Sequence, residues 1–502
     1  MKKVICATYE GMDAKIVDVE STLTKGLPSF SVVGMATTAI TEAKERVKSA
    51  LLSNQFSFPP KRITINLAPS DVRKEGSQFD LSMALLIALD YLKDDFTQWA
   101  VFGELGLDGV VKENIKLYPL ILSLANQKLI TKAIVPYSSL EKLSKIPNID
   151  FYGVKTLQEA IELLQNQESA KPSMQQSEID YPFYEIGNEK YFYIKEYRDD
   201  FIDVKGQEVA KRGALISAAG FHNILFEGSP GCGKSMIAKR LKYILPPMTT
   251  EDILNMSKLQ ALEFKEPDFK PHRNMRMPHH SSTLASIFGG GTHKAQIGEV
   301  GLAHKGILFF DELPHFNKNV LEALREPMED NKIQISRVNS KVEYPADFLF
   351  IGAMNPCPCG NLLHQERECR CSEIEIVRYK NRLSDPFLDR IDLIVVMQNI
   401  NADDSSSYSS KEFHKMVVEA HIFSKNRGQK SFNAKLSDSE IERYCSLNDE
   451  VKTVLDMAIK RFDLSFRSIK KVQKVARTIA DLDASNMIEK KHILEALSYR
   501  RR

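Results

Sequence analysis

Asn223-Ile224-Leu225-Phe226, separated only by Glu227 from Gly228-Ser229-Pro230-Gly231-Cys232-Gly233-Lys234-Ser235, is the stretch that decides the fold. The apolar run reads as a buried strand, and the eight residues after it match G-x-x-x-x-G-K-[ST]. Glycines let the backbone curl so that its N–H groups face a β-phosphate. Lys234 brings a cation to the β/γ oxygens, and the Ser235 hydroxyl is placed to ligate Mg²⁺ at a helix N-terminus. A strand before and a helix after are the context this motif requires. The reading is therefore an ATP site whose loop is Gly228, Ser229, Pro230, Gly231, Cys232, Gly233, Lys234 and Ser235.

Two further strand-like runs lie downstream. Gly306 to Phe310 ends in Asp311-Glu312, two carboxylates that a buried strand normally excludes. Asp311 is placed to hold Mg²⁺ and Glu312 to polarise the attacking water, the division of labour that hydrolysis of a phosphoanhydride needs. Phe348 to Ala353 ends in Met354-Asn355, where Asn355 reads as a polar sensor of the γ-phosphate. Short apolar runs separated by helical segments are the pattern of a parallel α/β sheet.

Outward from this core, two polar stretches without periodicity, Asn166 to Gln176 and Asp403 to Ser410, read as linkers. They divide the chain into 1–165, a linker at 166–180, a core at 181–400, a linker at 401–410 and a C-terminal segment at 411–502. The first segment mixes alternating Arg62 to Leu67 with a helical Phe79 to Leu92, an α+β reading. The last is helical. Ile469, Val472, Ala476 and Ile479 mark its apolar face, and Arg467, Lys470, Lys474 and Arg477 a basic one.

Composition bounds the rest. In 502 residues, 68 Lys+Arg stand against 66 Asp+Glu, a net charge of +2 that argues against a histone-like polycation but leaves room for a local basic stripe. At roughly 150 residues per domain the length predicts about three domains, each able to bury its own core. The N-terminus has two lysines but too short an apolar run for a signal peptide. The longest apolar stretch, Leu81 to Leu89, stops at Asp90, too short to cross roughly 30 Å of hydrocarbon. No membrane contact and a cytoplasmic location are expected.

Among seven cysteines, Cys357-Pro358-Cys359 and Cys369-Arg370-Cys371 form two C-x-C pairs in a polar excursion beside the sensor strand. Four thiolates satisfy a tetrahedral Zn²⁺ site, the alternative being reduced thiols in a loop. Between the segment Leu321 to Met328, read as a helix, and the sensor strand, Ile333 and Ile335 alternate with polar residues, and the chain turns at Asn339-Ser340 and returns through Val342 and Tyr344. This is a hairpin signature. Arg337 and Lys341 flank its tip as candidate phosphate contacts to DNA, or as ordinary edge-guarding charges. His279-His280, following Pro278, has no acidic or thiol partner nearby in sequence and reads as a structural or nucleotide-relay pair rather than a metal site.

In order along the chain, VKGQEVAKRG, HNILFEGSPGCGKS, RMPHHSS, GEVGLAHKGILFFDELPHF, LEALREPMED, YPADF and AMNPCPCG carry a resemblance to the ComM/YifB family of magnesium-chelatase-like AAA+ ATPases. Gly11 to Leu89, including GLPSFSVVGM, ITINLAPSDVRKEG and FDLSMAL, resembles that family's N-terminal domain. The resemblance implies a Lon-protease-like (S5-type) α+β N-terminal domain, an α/β P-loop AAA+ core and a C-terminal helical lid domain. It also implies ATP and Mg²⁺ as cofactors, a hexameric ring, DNA as partner, and, for competence members, branch migration during natural transformation. Matched residue by residue, the Walker A lysine falls on Lys234, the Walker B pair on Asp311 and Glu312, and sensor 1 on Asn355. The arginine finger falls on Arg390, offered to a neighbouring subunit, and the sensor 2 arginine on Arg467. Asp385 and Phe466 depart from the small residues usual at those positions.

Two other functions compete. A Lon-type peptidase needs a Ser nucleophile with a Lys. In Lys74-Glu75-Gly76-Ser77-Gln78-Phe79-Asp80 the nucleophile's place holds Gln78, with Ser77 one residue off and so turned away. A chelatase-type ATPase would share the core: as a subunit inserting Mg²⁺ into a porphyrin it would lack this leader and nothing in the sequence suggests a porphyrin contact, and its other form is an ATPase remodelling a protein partner.

Overall fold

The strand ahead of the phosphate loop forms as Ile224–Gly228, and it lies near the middle of a five-stranded sheet. In this computed structural model the chain is described except at residues 1, 11–12, 36–37, 57, 93, 291–295, 337–340, 365, 399–403, 463–464 and 501–502. The sheet order is Met275–Arg276, Ile307–Phe310, Leu349–Met354, Ile224–Gly228, Leu393–Met397, and every neighbouring pair is parallel. Ile307–Phe310 and Leu349–Met354 are buried at every position, because both faces of a parallel sheet are covered and alternation has no water-facing side to serve. Parallel pairing also puts the C-terminal ends of three adjacent strands along one edge, which brings together Gly228, Asp311 and Asn355.

The described chain folds as two compact units. One comprises Met1–Asp180 and Leu254–Phe269; the other comprises Tyr181–Ile253 and Lys270–Arg502. Where the core and the C-terminal segment were expected as separate domains, they share one hydrophobic cluster. Ile224, Phe226, Ile351 and Val395 of the sheet belong to the same buried set as Phe413, Val417, Val472, Val475, Ile479 and Ile493 of the helices. The C-terminal helices are Ser410–Asn426, Asp438–Tyr444, Asp449–Phe462, Phe466–Leu482 and Lys490–Ser498. Ser409 with Glu412 and Ser437 with Glu440 start the first two as capping boxes, satisfying backbone N–H groups that a helix leaves open.

The Ser-rich stretch expected to be an unordered linker is, in its described part, fastened to the core. The carbonyl of Ser405 accepts from the Gly206 N–H at 3.1 Å, the hydroxyl of Ser407 accepts from Lys211 at 2.9 Å, and Ser410 Oγ accepts from the Phe201 N–H at 2.8 Å. Polar residues order here by hydrogen bonding where they lack apolar area to bury. The segment expected as one helix from Leu321 to Met328 is broken into Lys318–Ala323 and Arg325–Asp330. Pro327 lies in the first turn of the second, where its missing N–H costs no intrahelical bond.

The N-terminal unit is built on a seven-stranded mixed sheet ordered Ser29–Val33, Arg62–Ala68, Asp13–Thr24, Lys2–Glu10, Ala100–Val101, Lys132–Pro136, Asp150–Val154. Helix Asp80–Ala88 is buried almost throughout. The second stretch of this unit, Leu254–Phe269, is held by the Tyr118 hydroxyl donating to the Leu254 carbonyl at 3.2 Å, by Lys142 to Glu266 at 2.5 Å, and by Lys258 to Asp13 at 3.6 Å. Its sequence neighbours belong to the other unit. Among the described residues no helix is long and apolar enough to cross a membrane.

Candidate nucleotide site

The loop from Gly228 to Gly233 turns back on itself because Gly231 and Gly233 take φ of +82° and +95°, a region costly for any side chain. At Gly228 an added Cβ would stand 2.7 Å from the Cys232 sulfur and 3.0 Å from the Met397 carbonyl oxygen. Lys234 opens the helix Lys234–Leu241 and folds its ammonium back over the loop. It donates to the carbonyls of Gly228 at 2.7 Å and Ser229 at 2.9 Å, and to Asn355 Oδ1 at 3.1 Å. Ser235 Oγ donates to Asp311 Oδ2 at 2.6 Å. The residues expected from three separate stretches thus converge at one edge of the sheet.

These groups fit a nucleotide and its metal. Burial lowers the Lys234 pKa, and the opposing charges of Asp311 and Glu312 do not fully offset it. A desolvated cation with incomplete counter-charge is stabilised by an arriving polyanion. The Ser229 hydroxyl is buried with no hydrogen-bond partner among the described residues. Ser235 and Asp311, already in contact, are the pair that would hold Mg²⁺, an ion that takes few protein oxygens and keeps several waters. Glu312 sits in the left-handed region at φ 53°, ψ 44°, an uncommon conformation for a non-glycine residue and one that concentrates at functional sites. Its carboxylate is more than half exposed and lies 4.0 Å from His280 Nδ1. His280 thus gains the acidic neighbour that is not apparent in sequence. Gln207, in the VKGQEVAKRG stretch, is a second residue without a sequence signal. Its side-chain amide donates to the Cys232 carbonyl at 3.1 Å, bracing the loop from outside.

The four cysteines come together. Sγ–Sγ separations are 3.5 Å for Cys357–Cys359, 3.6 Å for Cys357–Cys369 and 3.6 Å for Cys359–Cys369, and with Cys371 all four sulfurs lie within 4.8 Å of one another. Zn–S bonds of about 2.3 Å in a tetrahedron put sulfurs roughly 3.8 Å apart, so the donor set fits zinc in type and spacing. The cluster adjoins the phosphate loop: a Cβ on Gly360 would stand 2.5 Å from the Pro230 ring.

Arg390 and Arg467 meet on Glu329. Arg467 Nη2 donates to Oε1 at 2.8 Å and Arg390 Nη2 to Oε2. The hairpin forms from Lys332–Ser336 and Lys341–Pro345 in antiparallel register, Ile333 opposite Tyr344. Arg337 lies outside the described residues, as does the side chain of Lys341. The basic face of helix Phe466–Leu482 is not a free row of cations. Arg477 is buried and bonded to Asp481 and to the Asn486 carbonyl, Lys474 donates to the Ala434 carbonyl at 3.1 Å, and Lys470 pairs with Asp438 at 2.7 Å. A cation four residues from a carboxylate on a packed helix face is spent on that carboxylate, which spacing alone does not reveal.

Three family models match successive parts of the chain. Residues 200–405 match the family described as magnesium chelatase, subunit ChlI; residues 19–139 match subunit ChlI of Mg-chelatase; residues 407–500 match its C-terminal part. The chain is 38% identical over 504 residues to the competence protein ComM of Haemophilus influenzae, covering 98% of this chain and 95% of that protein. It is 37% identical over 502 residues to YifB of Salmonella typhimurium, with the same coverage. To the magnesium-chelatase 67 kDa subunit of Chlorobaculum parvum the likeness is 25% over 158 residues, 31% of this chain and 23% of that protein. Likeness to the chelatase subunit is thus partial where likeness to ComM and YifB runs end to end, and the chain belongs to the ComM/YifB family of magnesium-chelatase-like ATPases.

Proposed function

We propose that this protein is a Mg²⁺-dependent, ring-forming ATPase, a hexamer in the cytoplasm, that moves on DNA and drives branch migration of recombination intermediates in natural transformation. The observation that carries the ATPase is the meeting of Lys234, Ser235, Asp311, Glu312 and Asn355 at the C-terminal edge of one parallel sheet. The DNA substrate rests on full-length likeness to a protein named for competence.

Lys234 would leave its carbonyl partners for the β/γ oxygens of ATP. Ser235 and Asp311 would hold Mg²⁺, which when bound neutralises charge developing on the transferred phosphoryl group. Glu312 orients the attacking water and accepts its proton, with Asn355 as the polar partner of the γ-phosphate. Arg390 is offered to the site of a neighbouring subunit, so turnover depends on assembly, and Arg467 serves as the sensor 2 arginine. The four cysteines hold Zn²⁺ as a structural site beside the loop. The N-terminal unit is a Lon-like (S5-type) domain without peptidase activity. Its Gln78 amide is engaged by the Ala7 and Glu75 carbonyls, and an amide is no nucleophile. The hairpin, with Arg337 and Lys341, is the DNA contact.

The deciding measurement is ATP hydrolysis by the purified protein alone and with single-stranded, duplex and four-way-junction DNA. Stimulation by the junction together with strand exchange is the expected result. Turnover indifferent to every DNA would move the function to remodelling of a protein partner, and degradation of an unfolded protein with ATP would move it to proteolysis.

A further inference from the structure

Resting on the ring-ATPase reading above, we infer that Glu329 is a positioning residue that holds Arg390 and Arg467 together as one bifurcated cationic unit. The three residues come from distant parts of the chain, and both carboxylate oxygens are used, one for each guanidinium. Glu329 lies on the short helix Arg325–Asp330, Arg390 follows the turn of helix Asp385–Leu388, and Arg467 stands in the first turn of Phe466–Leu482.

Three physical points select this carboxylate. Two guanidinium groups converging on one spot repel, and the shared anion lets them converge. Arg467 stands at a helix N-terminus, where the helix dipole disfavours a cation, so an acidic partner offsets that cost as well. Arg390 is already largely withdrawn from solvent, its Nε is buried without a hydrogen-bond partner among the described residues, and its Nη1 donates to the Pro386 carbonyl at 2.6 Å. Its remaining orientation is set by Glu329. The helix that carries Glu329 is anchored two residues on, where Asn331 accepts from Lys435 at 2.6 Å through its side chain and from the Ala346 N–H at 2.8 Å through its carbonyl. A triad of two cations and one anion keeps a net positive charge, so an arriving phosphate still finds attraction. Glu329 touches neither the nucleotide nor the attacking water in this scheme and acts only through the arginines.

Glu329 is 42% exposed, and ion pairs that open to water contribute little to folding, so Glu329→Gln should leave the melting temperature and ring assembly of the full-length protein unchanged. The neutral amide removes the anion between the two cations and turns an NH2 donor toward one guanidinium in place of the second carboxylate oxygen. Turnover measured under assembling conditions should fall on the order of tenfold in kcat with KM for ATP within about twofold, the signature of an interaction realised in the transition state. In a double-mutant cycle with Arg390→Lys and with Arg467→Lys, the Glu329→Gln effect should shrink toward nothing. Parental kcat in Glu329→Gln alongside reduced kcat in the arginine variants overturns the positioning role and leaves the ring reading standing. An undiminished Glu329→Gln effect in both arginine backgrounds also overturns it. Unchanged turnover in the arginine variants themselves overturns both together.

Discussion

Each unit of this chain buries a lysine beside a glycine turn, Lys234 after Gly233 and Lys74 before Gly76, and burial lowers the pKa of both. Their surroundings differ. Around Lys234 the loop leaves a buried hydroxyl unpartnered, and two carboxylates stand at the mouth of the site. Around Lys74 the polar groups are spent on one another. Its ammonium donates to the Pro69 carbonyl, Gln78 to Ala7 and Glu75, Ser77 to Glu104, and Arg46 to both oxygens of Asp80 at 2.7 and 3.1 Å. A buried cation alone does not make a site. The distinction lies in hydrogen-bonding capacity that the fold leaves unsatisfied.

The contrast predicts unequal consequences for the two lysines. Lys234→Ala should weaken ATP binding by at least about a hundredfold in a nucleotide titration, whereas Lys74→Met, which replaces a desolvated cation with an apolar chain of similar length, should leave ATP turnover at the parental level. Similar losses in both would erase the distinction. Within the nucleotide site, Glu312→Gln should keep ATP binding and cut turnover on the order of a hundredfold or more, because the Ser235–Asp311 pair survives while the proton acceptor does not. Retained turnover would remove Glu312 from the reaction.

A smaller effect belongs to the cysteine cluster. Elemental analysis should find about one zinc per chain, lost on changing Cys357 and Cys359 to Ser, with a melting temperature lower by a few degrees. Metal-free protein of unchanged stability would refute the site.

The remaining effect concerns pH, and it should have opposite signs in the two units. Burial pushes the Asp80 carboxyl up to about 6 despite Arg46. The folded state then binds more protons than the unfolded one between about pH 4 and 6, so stability of the N-terminal unit should decline over that window by at most about 3 kcal/mol and then level off. Asp392 is also buried, but Lys471 at 3.0 Å and His222 hold its carboxyl well below the usual range. Its contribution is present at neutral pH and is lost as the medium becomes more acidic than pH 4. Hydrogen exchange read peptide by peptide separates the two slopes. Asp80→Asn should flatten the first and leave the second.

Legibility from sequence follows how local each feature is. The phosphate loop is eight consecutive residues between a strand and a helix, and Asp311, Glu312 and Asn355 each end an apolar run, so their types and places could be read directly. The hairpin could be read from alternation around Ile333 and Tyr344. Glu329 could not, because its partners lie 61 and 138 residues away and an exposed Glu in a charged helix has no distinguishing pattern. His280 gained its acidic neighbour only when Leu313–His315 turned back at Glu312. Periodicity placed Lys474 and Arg477 on one face but could not say that Ala434, Asp481 and Asn486 already occupy them. Nor did it mark Leu254–Phe269 as part of the first unit, since an amphipathic pattern specifies that a face is covered and not by what.

That last stretch bears on how the molecule is made. The first 180 residues leave the ribosome before Leu254, Met256, Leu259 and Phe269, the apolar residues that complete their unit, have been synthesised. At about 5–20 residues per second the wait is roughly 4–18 seconds, during which Tyr118 lacks the cover that Leu254 and Phe269 give it. The covering stretch is translated only after the phosphate loop. Maturation of the N-terminal unit is therefore coupled to synthesis of the ATP site, and a product ending near residue 180 lacks the Leu254–Phe269 stretch that packs on Tyr118.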